Sequence, residues 1–286
     1  MKAEAVIRGL LEGAGVEVGG NNPWDIQVHD QRLYRRVLAH GTLGLGEAYM
    51  DGWWDCDALD RFFFHALTAN LGEKVGISPE NIWLWLSSWL VNRQSHGRSE
   101  KVADIHYNLG QDIFEATFDH RLTGSCAYWK EAQDLDAAQE AKLDLVCDKV
   151  GLRFGQEVLD IGSGWGAFMG FAAERYGARC VGVTVSSEQA AYAQNRYAGL
   201  PVEFQRRDYR DLTGTYDHVV SMGMFEHVGP RNYRAYFEIV RRSLKEGGLF
   251  LLHTIWGERP SRAIEPWLDK YIFPGGVLPA PSQIAR

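Results

Sequence analysis

The apolar run Glu157-Val158-Leu159-Asp160-Ile161 enters a glycine-rich turn, Gly162-Ser163-Gly164-Trp165-Gly166, and this is where the chain is best suited to enclose a small ligand. Glycines at 162, 164 and 166 let the backbone turn sharply and approach a ligand closely. The apolar stretch 167–173 then opens a helix whose N-terminus faces the turn. Spacing discriminates between ligands. A dinucleotide fingerprint is G-x-G-x-x-G, with an acidic residue about 20 positions later to hold the ribose. Here the third glycine comes one residue early and the next strand, 179–185, ends without a carboxylate, so a nicotinamide dinucleotide is disfavoured. Doubly wound folds host many functions, and a purely structural glycine turn is the competing reading.

The elements that must position this turn alternate. Strands are expected at 157–161, 179–185, 202–206, 216–222 and 248–255, with helices at 167–176, 187–197 and 231–244. That order implies a parallel sheet covered on both faces. Ligands in such sheets lie beyond the carboxyl ends of the strands. Gly162, Thr184, Asp208, Glu226 and His253 fall at or just past such ends, so one crevice could collect them.

Residues 1–78 form a first, mainly helical unit. Its segment 31–40 places Leu33, Val37 and Leu38 on one face and Arg32, Arg35, Arg36 and His40 largely elsewhere, with Gly41 expected to end the helix. The arginines are either a solvated face or a phosphate-contacting patch for an anionic bilayer. Ser78-Pro79-Glu80 suits a helix start. Ile82, Trp83, Leu84, Trp85, Leu86, Trp89, Leu90 and Val91 then cover nearly every direction of that helix, which is therefore a buried connector or an element touching lipid. The polar run 92–99 completes a linker over 79–98, and a catalytic unit follows over 99–286.

Bulk properties exclude several classes. A formal net charge of -7 argues against a general nucleic-acid binder. Cys56, Cys126, Cys147 and Cys180 are scattered without a C-x-x-C pair, so neither a disulfide framework nor a metal site is indicated, and a reducing cytoplasm is the default. No run reaches the roughly 18 apolar residues needed to span a bilayer.

The pattern D-x-G-x-G-x-G over Asp160–Gly166 resembles motif I of the class I S-adenosylmethionine (SAM) methyltransferases. Six further motifs sharpen the resemblance: His106-Tyr107-Asn108-Leu109-Gly110, Gly124-Ser125-Cys126-Ala127-Tyr128-Trp129, Thr184-Val185-Ser186-Ser187-Glu188-Gln189, Arg207-Asp208-Tyr209, Ser221-Met222-Gly223-Met224-Phe225-Glu226-His227 and Leu251-Leu252-His253-Thr254-Ile255. With the N-terminal Gly44-Leu45-Gly46-Glu47-Ala48-Tyr49-Met50-Asp51-Gly52-Trp53-Trp54, the chain closely resembles the cyclopropane-fatty-acyl-phospholipid synthases, relatives of the mycolic-acid methyltransferases. The resemblance implies the α/β, doubly wound, mostly parallel sheet of a class I SAM methyltransferase, preceded by a small helical domain for lipid binding or dimerisation. It implies transfer of a methylene from SAM to the cis double bond of unsaturated acyl chains in membrane phospholipids.

Site residues carry over by position. Gly162 and Gly164 would pass close to SAM, Ser125 would contact its methionine end, Thr184 and Gln189 would replace a ribose-binding carboxylate, and Asp208 with Tyr209 would frame the adenine. Attack by the alkene on the SAM methyl would leave a carbocation, and bound bicarbonate, held by Cys126, Glu226 and His253, would remove the proton that allows ring closure. Without the resemblance these residues read blandly: Cys126 as a small buried hydrophobe, Glu226 as a helix cap, His253 as a core histidine. His227 is left undecided.

Two departures stand out: Ser163 where the family often has cysteine, and Gly124 where a tyrosine is common. The family is also expected to continue past residue 286 with further sheet strands and a tyrosine of the bicarbonate site, so the chain reads as a C-terminally truncated and inactive piece. The implied setting is the cytoplasm, peripherally associated with the inner membrane, with a homodimer and no nucleic acid. Alternative readings are a SAM-dependent C-methyltransferase of unsaturated lipids without ring closure, or an inactive SAM- or membrane-binding fragment.

Overall fold

The structure, a computed structural model, describes residues 2–74, 79, 82–83, 92, 94–95 and 111–285. Most of the expected tryptophan-rich helix, its Ser78-Pro79-Glu80 start and the motif 106–110 lie outside the described residues. The chain divides into two compact units, Met1–Val91 with Ala263–Pro274, and Asn92–Arg262 with Gly275–Arg286.

The first unit begins with α1 (Lys2–Glu12), whose Ile7 and Leu11, one turn apart, are buried. A small antiparallel pair, β1 (Gln27–Val28) with β2 (Trp54–Asp55), flanks α2 (Leu33–Met50), and α3 (Leu59–Thr68) and α4 (Leu71–Lys74) follow. Trp54 and Phe62 meet at the core with ring centroids 5.0 Å apart, and the Trp54 indole N–H donates to the Leu45 carbonyl at 3.0 Å. Gly41 breaks the helix where the sequence suggests: it takes φ 58° and ψ -133°, a non-helical conformation open to glycine, and a second helical stretch begins beyond this kink and runs to Met50. Leu38 departs from expectation: it is exposed, while Tyr34 joins Leu33 and Val37 in the core. Position 38 lies a further 100° round the helix from Val37, past the edge of the buried stripe. Of the arginines, Arg32 pairs with Asp30 at 2.6 Å and Arg36 pairs with Glu47 at 2.8 Å and with Asp51. Both guanidinium groups also lie over the Trp53 ring, at 4.5 and 4.7 Å from its centre.

The second unit carries the sheet. After α5 (Gln111–Thr117) and α6 (Leu135–Val150), the order is β3 (Glu157–Ile161), α7 (Ala167–Tyr176), β4 (Arg179–Thr184), α8 (Ser187–Arg196), β5 (Val202–Arg206), β6 (Tyr216–Met222), α9 (Tyr233–Arg242) and β7 (Leu244–His253). All pairings in the order β5-β4-β3-β6-β7 are parallel. Strand β7 starts four residues before the expected 248 because Leu244 pairs with Tyr216 and a register shift follows, absorbed where Gly247 takes φ 76°. Along β3, Val158 packs with Leu143, Val146 and Phe168 of α6 and α7, whereas Leu159 faces Tyr209, Tyr236 and Val240. This alternation buries both faces of the sheet. Connections leave β3 toward β4 on one side while β6 pairs on the other, which puts the switch point of a doubly wound sheet at the glycine turn. The chain then places α10 (Pro266–Tyr271) in the first unit and α11 (Pro281–Ile284) in the second.

In the first unit α10 packs against α2 at a glycine. A Cβ on Gly46 would sit 2.5 Å from Cδ1 of Trp267. Glu47 on the next position accepts hydrogen bonds from Lys270 and Tyr271 of α10 as well as from Arg36.

Candidate functional site

The glycine turn is built as its spacing requires. Gly162, Gly164 and Gly166 take φ of 92°, 52° and 84°, in the region that favours glycine. The amides of Gly162 and Ser163 both donate to the Val183 carbonyl at 3.0 Å, which anchors the turn to the end of β4. A Cβ on Gly162 would lie 2.7 Å from Met224, so this glycine also lets the loops after β3 and β6 approach. Open space surrounds the corresponding position on Gly164.

Around this turn the described polar groups are only partly satisfied. Asp160, at the end of β3, is 2 % exposed and its Oδ1 has no hydrogen-bond partner, and the buried Ser163 hydroxyl also lacks one. Burial pushes the Asp160 carboxyl up to about 7, against the pull of nearby Lys142. At the end of β4, Thr184 Oγ1 donates to Gln189 Oε1 at 2.9 Å, and the Ser186 side chain caps α8 by accepting from the Gln189 amide. Arg207 N donates to the Thr184 carbonyl, bringing the β5 end alongside. Asp208 there is buried, accepting from the Arg210 amide at 2.9 Å and pairing with its guanidinium at 3.2 Å. Tyr209 lies in the core beside Tyr236, and burial raises its phenol.

A second group assembles where β6 and β7 end. Cys126 Sγ, exposed, lies 3.4 Å from Nε2 of His253. Gly223 N donates to the His253 carbonyl, and a Cβ on Gly223 would be 3.7 Å from the Ser125 Cβ, so the 124–126 segment lies over the end of β6. Glu226 Oε1 accepts from the Ile255 amide at 2.6 Å, while Glu226 Oε2 and His253 Nδ1 are buried without partners among the described residues. Burial, reinforced by Lys142, lowers the His253 imidazole despite Glu226, keeping it neutral near pH 7. His227 is lowered by burial too.

The sequence reading passed over one residue here and gave a second no role of its own. Lys142 is 4 % exposed and donates to Ser125 Oγ at 2.8 Å. Its signal was available, because Ala138, Lys142, Val146 and Val150 share a four-residue spacing and put a lysine inside an apolar stripe. Asp160 was legible as the one charge inside the apolar part of β3.

With polar atoms lacking partners on both sides of the switch point, the arrangement suits a ligand carrying a cationic group near Asp160 and a small oxyanion near Glu226 and His253. A Glu oxygen can accept from a protonated oxyanion, and an imidazole N–H can donate to it. The donor types and the open approach at Gly164 fit SAM and bicarbonate.

Residues 94–286 match the family model described as mycolic acid cyclopropane synthetase. The cyclopropane-fatty-acyl-phospholipid synthase of Escherichia coli (strain K12) is 47% identical over 277 residues, covering 97% of this chain and 72% of that protein. Tuberculostearic acid methyltransferase UfaA1 of Mycobacterium tuberculosis is 36% identical over 275 residues, covering 88% of this chain and 63% of that protein. Among solved structures, mycolic acid cyclopropane synthase CmaA1 complexed with SAH and CTAB aligns with a TM-score of 0.60 at 34% identity, covering 65% of this chain and 71% of that one.

Proposed function

Because the chain belongs to the mycolic acid cyclopropane synthetase family, we propose that it transfers a methylene from SAM to the cis double bond of an unsaturated phospholipid acyl chain, forming a cyclopropane fatty acid. The observation that carries this reading is the pairing of Cys126 with His253 beside Glu226, with His253 Nδ1 and Glu226 Oε2 lacking partners among the described residues, at the strand ends that also hold the glycine turn. SAM supplies a methyl on a sulfonium cation when bound. Gly162 and Gly164 approach it, Ser125 contacts its methionine end, Thr184 and Gln189 hold the ribose, and Asp208 with Tyr209 frames the adenine. An alkene is a poor nucleophile, so the residues serve mainly to hold the double bond in line with the methyl, an effect worth about 7 to 11 kcal/mol.

Bicarbonate supplies the base when bound. Glu226 Oε2 would accept from its hydroxyl, the neutral His253 would donate to it, and the Cys126 segment would close the third side. These three residues hold the place where the proton leaves the transferred carbon. The substrate is reached at a bilayer surface in the cytoplasm, by a protein attached peripherally to the inner membrane and paired as a homodimer. Exposed Phe63, Phe64 and Leu67 of α3 support contact with lipid, and no described helix is long and apolar enough to cross a membrane.

A second reading, methyl transfer without ring closure, is favoured by the similarity to tuberculostearic acid methyltransferase. One experiment separates them. The protein is incubated with SAM and unsaturated phospholipid vesicles, and released acyl chains are analysed by mass spectrometry and proton NMR. Cyclopropanation adds one CH2, removes the olefinic protons and creates the upfield ring-methylene signal. A branched methyl or methylene product supports the second reading, and unchanged acyl chains with a turnover-competent control would refute both.

A further inference from the structure

Helix α6 grips the segment that carries Cys126 at two points. Gln139 Nε2 donates to the Ser125 carbonyl at 2.8 Å, and Lys142 Nζ, one turn further along the same face, donates to the Ser125 hydroxyl at 2.8 Å. A buried ammonium is costly unless it is paired. Among the described residues, one of its three donors is used in a hydrogen bond. The charged or titratable groups acting on it come from several elements: Asp119 and Cys126 from the segment before α6, and Asp160 from β3, while Lys142 in turn acts on His253 of β7. Asp119 spends its carboxylate on the Arg121 and Thr123 amides, shaping the loop that leads to Ser125. Asp160 has no such outlet for Oδ1.

We propose that Lys142 is a positioning residue for this reaction: its buried ammonium fixes the Ser125 hydroxyl, and with it the Cys126 segment against His253, while its charge offsets Asp160 beside the glycine turn. This inference rests on the functional reading given above. The lysine does not touch the reacting atoms. It sets where the Cys126 backbone and thiol stand against His253. Burial lowers the lysine itself to about 8, so that charge is lost as the pH rises above 8.

The test reads Cys126 in the absence of SAM and lipid. In a Cys56→Ser background Cys126 is the exposed thiol, since Cys147 and Cys180 are buried. The rate of its alkylation by iodoacetamide at one fixed pH is measured with and without Lys142→Met. The rate is expected to change about threefold or more in the variant, as the 124–126 segment moves off His253. Turnover is expected to fall about tenfold or more, with SAH affinity and melting temperature changing far less. An unchanged alkylation rate, or losses of turnover, SAH affinity and melting temperature in parallel, would overturn the proposal. Lys142→Gln keeps a donor for Ser125 without the charge, and carries the test if the methionine variant does not fold. With its shorter reach to Ser125 it is expected to change the Cys126 alkylation rate by about twofold while recovering part of the turnover, and an unchanged alkylation rate overturns the proposal here too. Wild-type turnover of unsaturated phospholipid tests the functional reading separately.

Discussion

Glu226 uses one carboxylate oxygen on the Ile255 amide and leaves the other buried without a partner. Its Gln variant keeps the first interaction and replaces an acceptor by a donor on the second. Glu226→Gln is therefore expected to depress turnover by about tenfold or more while SAH affinity stays near wild type, as expected for a residue that orients the base. Calorimetry beside steady-state rates checks this. Asp160 makes a different case. Its folded carboxyl stands near 7, above the ordinary value of 3.8, so the stability it contributes is present below that ordinary value and lost as the pH rises through about 7. Asp160→Asn should accordingly melt higher than wild type at pH 8, by about 1 to 2 kcal/mol, with the gap closing toward pH 4. It should also bind SAH more weakly, and equal melting at both pH values would remove the assigned burden from Asp160. Asp160 entered the sequence reading only as the first residue of the glycine motif and Lys142 not at all, since a charge embedded in an apolar stripe reads as noise in the pattern until its surroundings are known.

At the scale of elements, strands β3 to β6 were legible because apolar runs bounded by turn residues place them, and the glycines of the turn declare its shape. The start of β7 was not, because Gly247 and Gly248 look like strand breakers and in fact accommodate a register shift. Gly41 was legible by contrast, since its non-helical conformation breaks the helix where a stop is expected and a second helical stretch follows. The glycine turn yields a sharp prediction. Gly162→Ala forces a side chain into positive φ and against Met224 at 2.7 Å, so it should destabilise the second unit by about 1 to 3 kcal/mol and weaken SAH binding. Gly164→Ala meets open space and should cost less stability, which thermal melts of the two variants would reveal.

At the scale of the whole molecule, the least legible feature was that 263–274 belongs with the first unit, since nothing local in those residues announces a partner so far away in sequence. What joins them is Glu47. Burial opposes its ionisation, yet hydrogen bonds from Lys270, Arg36 and Tyr271 draw its carboxyl down to about 2. A lowered carboxylate contributes stability above its ordinary value of 4.5, and that stability is lost as the pH falls through about 2. Glu47→Gln should thus cost about 1 kcal/mol near neutrality and nothing at pH 2, and Gly46→Ala should loosen α10 by displacing Trp267, seen as faster proteolysis after Lys270. The discontinuous unit also carries a schedule. Residues 92–262 must leave the ribosome between its two parts, a delay of roughly ten to thirty seconds at ordinary elongation rates. Throughout that interval α2 presents Gly46 and Glu47 with nothing to receive, so the first part of the chain to be made is the last to be finished.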